Sequence, residues 1–278
     1  MATTDAGTAF RGSVPLVYER YLVPLIFQPY ADEMAARVMA SLPRRVLEIA
    51  AGTGVVTRVL AEWLPKSTTI VATDLSDAML QVAQTLGTAQ PVTWRQADAM
   101  QLPFADGSFD AVVCQFGAMF FPDKARAFAE ARRVLAPGGR LFFNVWDRIE
   151  TNDFTCVVSQ AVAGLFPDDP PDFLAQTPHG YHDVAAIRRD LAGGGFDAGV
   201  TIETVTLRSR ATSPSVPAIA FCQGTPLCNE IEARHGASLL EATDVATRAI
   251  AERFGDGAIG IEGRIQAHVV SVATPDSA

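Results

Sequence analysis

Basic residues are in short supply in this chain of 278 residues: 22 Lys and Arg stand against 31 Asp and Glu, a formal net charge of −9. Neutralising phosphates takes clustered Lys and Arg, and no basic face is visible, so nucleic acid is not expected as a partner. Long hydrophobic runs are missing too. Apolar stretches such as 112–114 and 118–121 fall far short of the roughly 20 residues of a membrane helix, so no membrane span is expected. Residues 1–10 carry neither the basic nor the apolar segment of a secretory signal. The four cysteines, Cys114, Cys156, Cys222 and Cys228, are few and irregularly spaced, which points to reduced thiols and a cytoplasmic protein. His179 and His182 form an i, i+3 pair with no Cys or third His nearby, and the spacing of Cys222 and Cys228 is not that of a zinc site, so no metal is expected. What the chain does have is 49% hydrophobic residues with 19% charged ones, the balance of a globule with a substantial core.

Apolar or β-branched runs at 45–49, 69–73, 92–96, 109–115 and 140–145 alternate with helical spacing at 55–64, 76–86 and 124–135. Near-continuous hydrophobic strands separated by helices predict a parallel sheet covered on both faces. The run Ala136-Pro137-Gly138-Gly139 reads as a helix stop before the fifth strand. Further on, the Pro- and Asp-rich stretch 165–172 reads as a loop. A short helix over 184–191 closes at Gly193-Gly194-Gly195, and 200–207 alternates as a strand. Residues 217–254 are largely helical, 264–273 suggest a last strand, and 274–278 a frayed tail. Near the start, Tyr18, Tyr21, Leu22, Leu25 and Ile26 form an apolar helical stripe. Pro24 and Pro29 interrupt it, which predicts one or two short helices over the sheet rather than one rod. The expected organisation is one structural domain: an N-terminal helical cap (1–40), a ligand-binding core (41–149), and a C-terminal part (150–278) that completes the sheet and carries a helical lid or insertion at about 211–260.

The informative run is Val46-Leu47-Glu48-Ile49-Ala50-Ala51-Gly52-Thr53-Gly54-Val55. Small residues between a strand and a helix let the backbone turn sharply and a ligand approach closely. Asp74 ends the second strand, where an acid accepts hydrogen bonds from both ribose hydroxyls of a bound nucleoside. Glu48 just before the turn would repel a pyrophosphate in a partly desolvated cleft, and Asp98 adds a third carboxylate. Three acids suit a ligand carrying a sulfonium and an ammonium group. The third glycine of a dinucleotide fingerprint would fall at Thr57, and the Gly-Lys-Ser/Thr ending of a phosphate-clasping loop is absent.

These residues, with Ala72-Thr73-Asp74-Leu75-Ser76, Gln96-Ala97-Asp98-Ala99-Met100, Ser108-Phe109-Asp110-Ala111-Val112 and Leu135-Ala136-Pro137-Gly138-Gly139, keep order and spacing over residues 44–146. The segment resembles the class I S-adenosylmethionine-dependent methyltransferases, small-molecule type, near the ubiquinone and menaquinone methyltransferases (methyltransferase type 11). The one departure is Ala50, where that family usually has its first glycine. The resemblance implies an α/β, Rossmann-like, doubly wound, seven-stranded mixed sheet of order 3-2-1-4-5-7-6, with N-terminal helices and a helical insertion between the last two strands. It also implies S-adenosyl-L-methionine as cofactor. Glu48 and the turn at Ala50, Gly52, Thr53 and Gly54 would hold the methionine end, and Asp74 the ribose hydroxyls. Leu75 and Met79 would pack near the adenosine, Asp98 would accept from the adenine amino group, and Ala99 N–H, with Met100 beside it, would meet a ring nitrogen. Gln115 would border the sulfonium.

Methyl transfer from a sulfonium has a neutral leaving group, so proximity and alignment supply much of the catalysis. No general base announces itself, Tyr18 being the candidate. After the fourth strand Gln115-Phe116-Gly117-Ala118-Met119-Phe120 lacks the Asn/Asp-Pro-Pro-aromatic signature of enzymes that methylate exocyclic or amide nitrogens. Tyr18, Tyr21, Phe116, Met119 and Phe120 instead suggest a small apolar or aromatic acceptor, with the protein a monomer or homodimer. Two rival readings are an NAD(P)-dependent oxidoreductase, against which the acids and Thr57 speak, and a non-catalytic regulator that binds the same adenosyl ligand.

Overall fold

In the computed structural model, which describes residues 12–275, seven strands form one sheet in the order β3-β2-β1-β4-β5-β7-β6. They are β1 (Arg45–Glu48), β2 (Thr69–Asp74), β3 (Val92–Gln96), β4 (Phe109–Gln115), β5 (Leu135–Trp146), β6 (Thr201–Ala211) and β7 (Ile261–Ala273). The pairs from β3 through β5 are parallel, and β7 runs antiparallel to β5, which gives the mixed sheet expected. Between β6 and β7 come the helices Ser215–Gln223, Leu227–Glu232 and Leu239–Phe254. Gly224-Thr225-Pro226 and the turn before Ser238 break what the sequence reads as one helical stretch.

The chain separates into two compact units. One gathers Tyr30–Trp146, Tyr181–Val205 and the residues from Ala267 on; the other gathers the residues up to Pro29, Asp147–Gly180 and Thr206–Gln266. In the first, β1 and β4 are buried almost throughout, because helices cover a parallel sheet on both faces. The helix Val55–Trp63 turns Val56, Leu60 and Ala61 inward. The Ser76 and Asp123 side chains cap the helices Asp77–Leu86 and Lys124–Val134, accepting from Met79 N–H and Arg126 N–H, which satisfies donors that helix starts leave orphaned. In the second unit the helices Asp153–Ala163 and Leu239–Phe254 pack together through the edge-to-face pair Phe154 and Phe254.

Two local expectations are corrected. Pro24 and Pro29 do not interrupt the N-terminal helix: helical structure continues from Val14 to Ala40, with a π-helical stretch at Tyr18–Phe27. Gln28 N–H donates to Val23 O, five residues back. In that wider register Pro24, which has no N–H, is accommodated where an α-helix would lose a bond and clash. Likewise Ala136-Pro137-Gly138-Gly139 ends the helix but is not a spacer. The chain is already strand at Leu135, paired with Phe109, and the register shifts between Phe109 and Ala111, a bulge that absorbs the Pro-Gly-Gly.

Tyr30 is fully buried in the first unit. Its ring meets Phe116 and Trp146 edge-on at 5.2 and 5.4 Å, and its hydroxyl donates to Val205 O at 2.8 Å. Tyr30→Phe deletes the hydroxyl with its bond to Val205 O and should lower unfolding stability by about 0.5–1.5 kcal/mol, whereas Tyr30→Ala should cost about 3–5 kcal/mol through the cavity left in the aromatic cluster. Urea denaturation of the two variants beside the wild type checks the ordering.

Candidate cofactor site

The turn after β1 sits where the sheet order reverses, since β1 pairs with β2 on one side and β4 on the other. That is where open α/β sheets leave a crevice for ligands. Its base is pinned to both neighbours: Ile49 N–H donates to Val113 O and Ala51 N–H to Thr73 O, at 2.8 and 2.9 Å. Ala50, Gly52 and Gly54 take left-handed backbone, with φ of 55°, 57° and 82°. At Gly54 a side chain is also excluded by space, because a Cβ there would lie 2.8 Å from the Trp94 ring. Ala50 carries a strain of about 1–2 kcal/mol that glycine would avoid. Its methyl is matched on the other side of the contact: a Cβ added to Gly117 would fall 2.4 Å from Ala50 Cβ and 2.8 Å from Cys114 Sγ. The departure at Ala50 is thus accommodated by a residue without a side chain after β4.

Glu48 is buried at the end of β1. The Thr57 hydroxyl donates to it and Arg58 acts on it from a distance, yet burial dominates and pushes its carboxyl up to about 8, with the Asp74 charge adding to the rise. Asp74, at the end of β2, accepts from Gly52 N–H and Ser76 N–H, both at 2.8 Å. Desolvation raises its carboxyl above the ordinary range although these backbone donors and Leu75 N–H oppose the rise. The exits of β2 and β3 are joined by Ala97 N–H donating to Asp74 O at 3.0 Å. Asp98, half-buried, accepts from Met100 N–H at 2.8 Å. Thr53 Oγ1 in the turn is buried with no hydrogen-bond partner among the described residues.

The carboxyl ends of β1, β2 and β3 therefore carry Glu48, the turn 50–54, Asp74, Leu75, Met79 and the loop of Asp98, Ala99 and Met100. Met79 is buried in the first turn of its helix and Leu75 is exposed. One strand over, Gln115 ends β4 and is nearly buried. Phe116 takes φ of 52°, a left-handed conformation costing a bulky residue about 1–3 kcal/mol, and its ring stacks on Trp146 at 3.7 Å. Met119 is buried and Phe120 half-buried in the short turn that follows. Tyr18 and Tyr21 lie in the other unit, on the π-helical stretch, with Tyr18 stacked on Phe27 at 4.9 Å and Arg20 over the Tyr21 ring. Cys114 is no base or nucleophile, because burial pushes its thiol up to about 12.

Two residues escape the sequence reading. Thr57, placed there only as a missing glycine, is the hydroxyl that serves Glu48. Asn144 in β5 is fully buried, and its Oδ1 accepts from Phe116 N–H at 2.9 Å. The signal for it is an amide standing inside the apolar run Leu141-Phe142-Phe143-Asn144-Val145-Trp146.

The Ala50 contact gives a direct test. Gly117→Ala should destabilise the protein by about 1–3 kcal/mol through overpacking, and Ala50→Gly should recover part of that loss in the double variant, the contact with Cys114 Sγ remaining. A double-mutant cycle from thermal or urea melts reads this as a coupling above about 0.5 kcal/mol.

A family model described as a methyltransferase domain matches residues 47–143. The demethylmenaquinone methyltransferase of Deinococcus radiodurans is 44% identical over 109 residues, 38% of this chain and 45% of that protein; the chain thus spans about half the length of such relatives. The ubiquinone/menaquinone biosynthesis C-methyltransferase of Azotobacter vinelandii is 31% identical over 175 residues, 58% of this chain and 69% of that protein. Among solved structures, phosphoethanolamine N-methyltransferase 2 of Haemonchus contortus shares the fold with a TM-score of 0.58 at 17% identity, over 97% of this chain and 59% of that one. The YcgJ protein of Bacillus subtilis does so with 0.53 at 18%, over 88% and 99%. An alignment over more than two thirds of a curated relative, on the strand order and glycine-bearing turn just described, places the chain in a family: it belongs to the class I S-adenosylmethionine-dependent methyltransferases.

Proposed function

We propose that this protein binds S-adenosylmethionine at the carboxyl ends of β1 to β3 and methylates a small hydroxylated aromatic acceptor of quinol type. The observation that carries the reading is the buried Glu48 beside Asp74 at the turn. Two desolvated acids, one pushed up to about 8, are poorly balanced on their own and suit a ligand that brings positive charge. The residues fit that ligand in other respects. The turn leaves Thr53 Oγ1 buried without a partner among the described residues, and Asp74, whose carboxylate has about four acceptor sites, keeps capacity for a ribose hydroxyl. When bound, the cofactor supplies a sulfonium methyl that departs from a neutral thioether.

The chain's own residues then bind and orient. Glu48 faces the methionine end in its ionised form, and Thr57 holds the carboxylate in place. Asp74 orients the ribose, and Asp98 with the Ala99 and Met100 backbone takes the adenine edge. Gln115, Met119 and Phe120 line the path from cofactor to acceptor and exclude water. A quinol acceptor is supported by the names of the two curated relatives above, a demethylmenaquinone methyltransferase and a ubiquinone/menaquinone biosynthesis C-methyltransferase, and by the uncharged, aromatic residues after β4. The acidic chain speaks for a small molecule over nucleic acid. Four free, buried cysteines suit a reducing cytoplasm, and among the described residues no helix is long and apolar enough to cross a membrane. The nicotinamide reading is not favoured by the family, and a non-catalytic regulator has no observation of its own.

Calorimetry should show micromolar binding of S-adenosylmethionine and S-adenosylhomocysteine and none of NAD; the reverse pattern overturns the reading. Asp74→Ala should weaken cofactor binding tenfold or more, as the loss of a charged hydrogen bond worth about 1.5–3 kcal/mol requires.

Glu48 makes binding depend on pH. In the free protein its carboxyl is raised to about 8, so below that pH a cationic ligand must expel a proton to meet a carboxylate. Apparent affinity should climb between pH 6 and 8, by at most tenfold per unit, and then stop as the ligand's α-amino group, with an ordinary value of about 7.7–8.0, loses its own charge. Glu48→Gln should remove the climb. The sign for stability is opposite: the raised folded value means the contribution of Glu48 is fully present below the unfolded value and is lost as pH rises through about 8. Ligand-free Glu48→Gln should therefore melt above the wild type at pH 8.5 and not at pH 4.5.

A further inference from the structure

We infer that Arg126, Glu130 and Arg133 are positioning residues for the base of the cofactor: from the helix Lys124–Val134 they hold the loop after β3 so that Asp98 and Ala99 meet the adenine edge. The inference rests on the cofactor site proposed above and adds to it residues that touch no ligand. Between β3 and β4 the chain runs through residues 97–108 without helix or ladder, apart from a single bridge between Asp98 and Gln101. The main-chain groups of such a loop need partners from elsewhere. Side chains of one helix supply several of them. Arg126, Glu130 and Arg133 stand at i, i+4 and i+7, on one face. Arg126 Nε donates to Met100 O at 3.0 Å. Glu130 Oε2 accepts from Leu102 N–H at 2.7 Å, and Arg133 donates to Leu102 O and Phe104 O at 2.9 and 2.7 Å. Glu130 and Arg133 are joined to each other by two bonds of 2.8 Å, and the guanidinium holds the Glu130 carboxyl below its ordinary range. The pair therefore stays charged at neutral pH, where its hydrogen bonds are of the strong, charge-assisted kind.

The path from Arg126 to the base is short. Met100 O, which Arg126 holds, shares a peptide group with Gln101 N–H. That N–H donates to Asp98 O at 3.0 Å, and Asp98 O shares a peptide group with Ala99 N–H, the donor proposed for the adenine ring. Peptide groups are planar, so fixing the oxygen of one sets the direction of its N–H. Met100 N–H donates to Asp98 Oδ1 at 2.8 Å and so orients the carboxylate proposed for the adenine amino group. Asp98, Ala99 and Met100 are half-buried, which leaves them within reach of a ligand. A carboxylate next to an N–H donor complements adenine. It is the wrong pattern for hypoxanthine, whose carbonyl and ring N–H exchange acceptor for donor at both positions.

Calorimetry on the full-length protein compares S-adenosylhomocysteine with S-inosylhomocysteine, which differ only at that edge of the base. The wild type should prefer the adenosyl ligand by about tenfold or more. Arg133→Met should cut the preference by about threefold or more, through the adenosyl ligand alone, with inosyl affinity within about twofold of the wild type. Arg133→Lys should recover part of it, and Arg126→Met, which loses one bond at an exposed residue, should act in the same direction. A merely structural role would weaken both ligands alike, or lower the melting temperature with the preference intact; either result overturns the inference. If Arg133→Met does not fold, Arg126→Met and Glu130→Gln decide on the same ratio, and an unchanged preference in both overturns the proposal. Failure of the wild type to bind S-adenosylhomocysteine overturns the proposed cofactor site and this inference with it; binding without preference between the two bases overturns the inference alone.

Discussion

The carboxylate of Asp74 ties the turn after β1 to the start of the helix after β2. One oxygen accepts from Gly52 in the turn after β1, the other from Ser76 at the start of the next helix, and the carbonyl of the same residue receives Ala97 after β3. The turn after β1 and the start of the next helix are thereby referred to one side chain at the end of β2, and the exit of β3 to the main chain of the same residue. Such an arrangement sets a turn rich in left-handed residues, which has little local preference of its own, into a single geometry before any ligand arrives. The cost is desolvation of the acid, visible as a carboxyl held above its ordinary range.

From that junction the site divides by charge. On the side of β1 to β3 lie Glu48, Asp74 and Asp98; β4 ends in Gln115 and is followed by Phe116, and β5 closes with Asn144 and Trp146, all uncharged, before the buried Asp147. Attraction in a cleft of lowered dielectric acts strongly over short distances, so the cationic ligand of the proposed function would be drawn to the side of the acids. The acids also burden one another: Asp74 adds to the rise in Glu48, which the proposed positive ligand would reverse.

Most of the architecture was legible because it rests on patterns of local origin. The runs at 92–96 and 109–115 are β3 and β4 as read, and helix starts follow capping side chains at Ser76 and Asp123. Reading failed where a rule about one residue gave way to a register the residue does not announce. Pro24 in isolation is a helix breaker, and only the π-helical bond from Gln28 to Val23 shows why it is tolerated. Pro137 and the glycines after it stop a helix, but pairing of Leu135 with Phe109 comes from a strand 26 positions earlier. In the site, acids next to a glycine turn could be found by spacing. Asn144 could not, because what matters about it is a hydrogen bond across 28 positions and a donor left over.

Ala50 shows how the two sides are mechanically linked. With glycine there, the turn after β1 and the backbone at Gly117 would be separated by roughly the thickness of a methyl group, and each could relax without the other. The alanine methyl closes that gap, so the cofactor turn and the β4 exit are in direct contact, and close-packed interiors transmit displacement rather than absorb it. Phe116 precedes Gly117 and is itself tied to Asn144 and Trp146. The departure from glycine at Ala50, which on sequence alone is a flaw in a motif, is in the folded protein a close contact between the turn after β1 and the residue that follows Phe116.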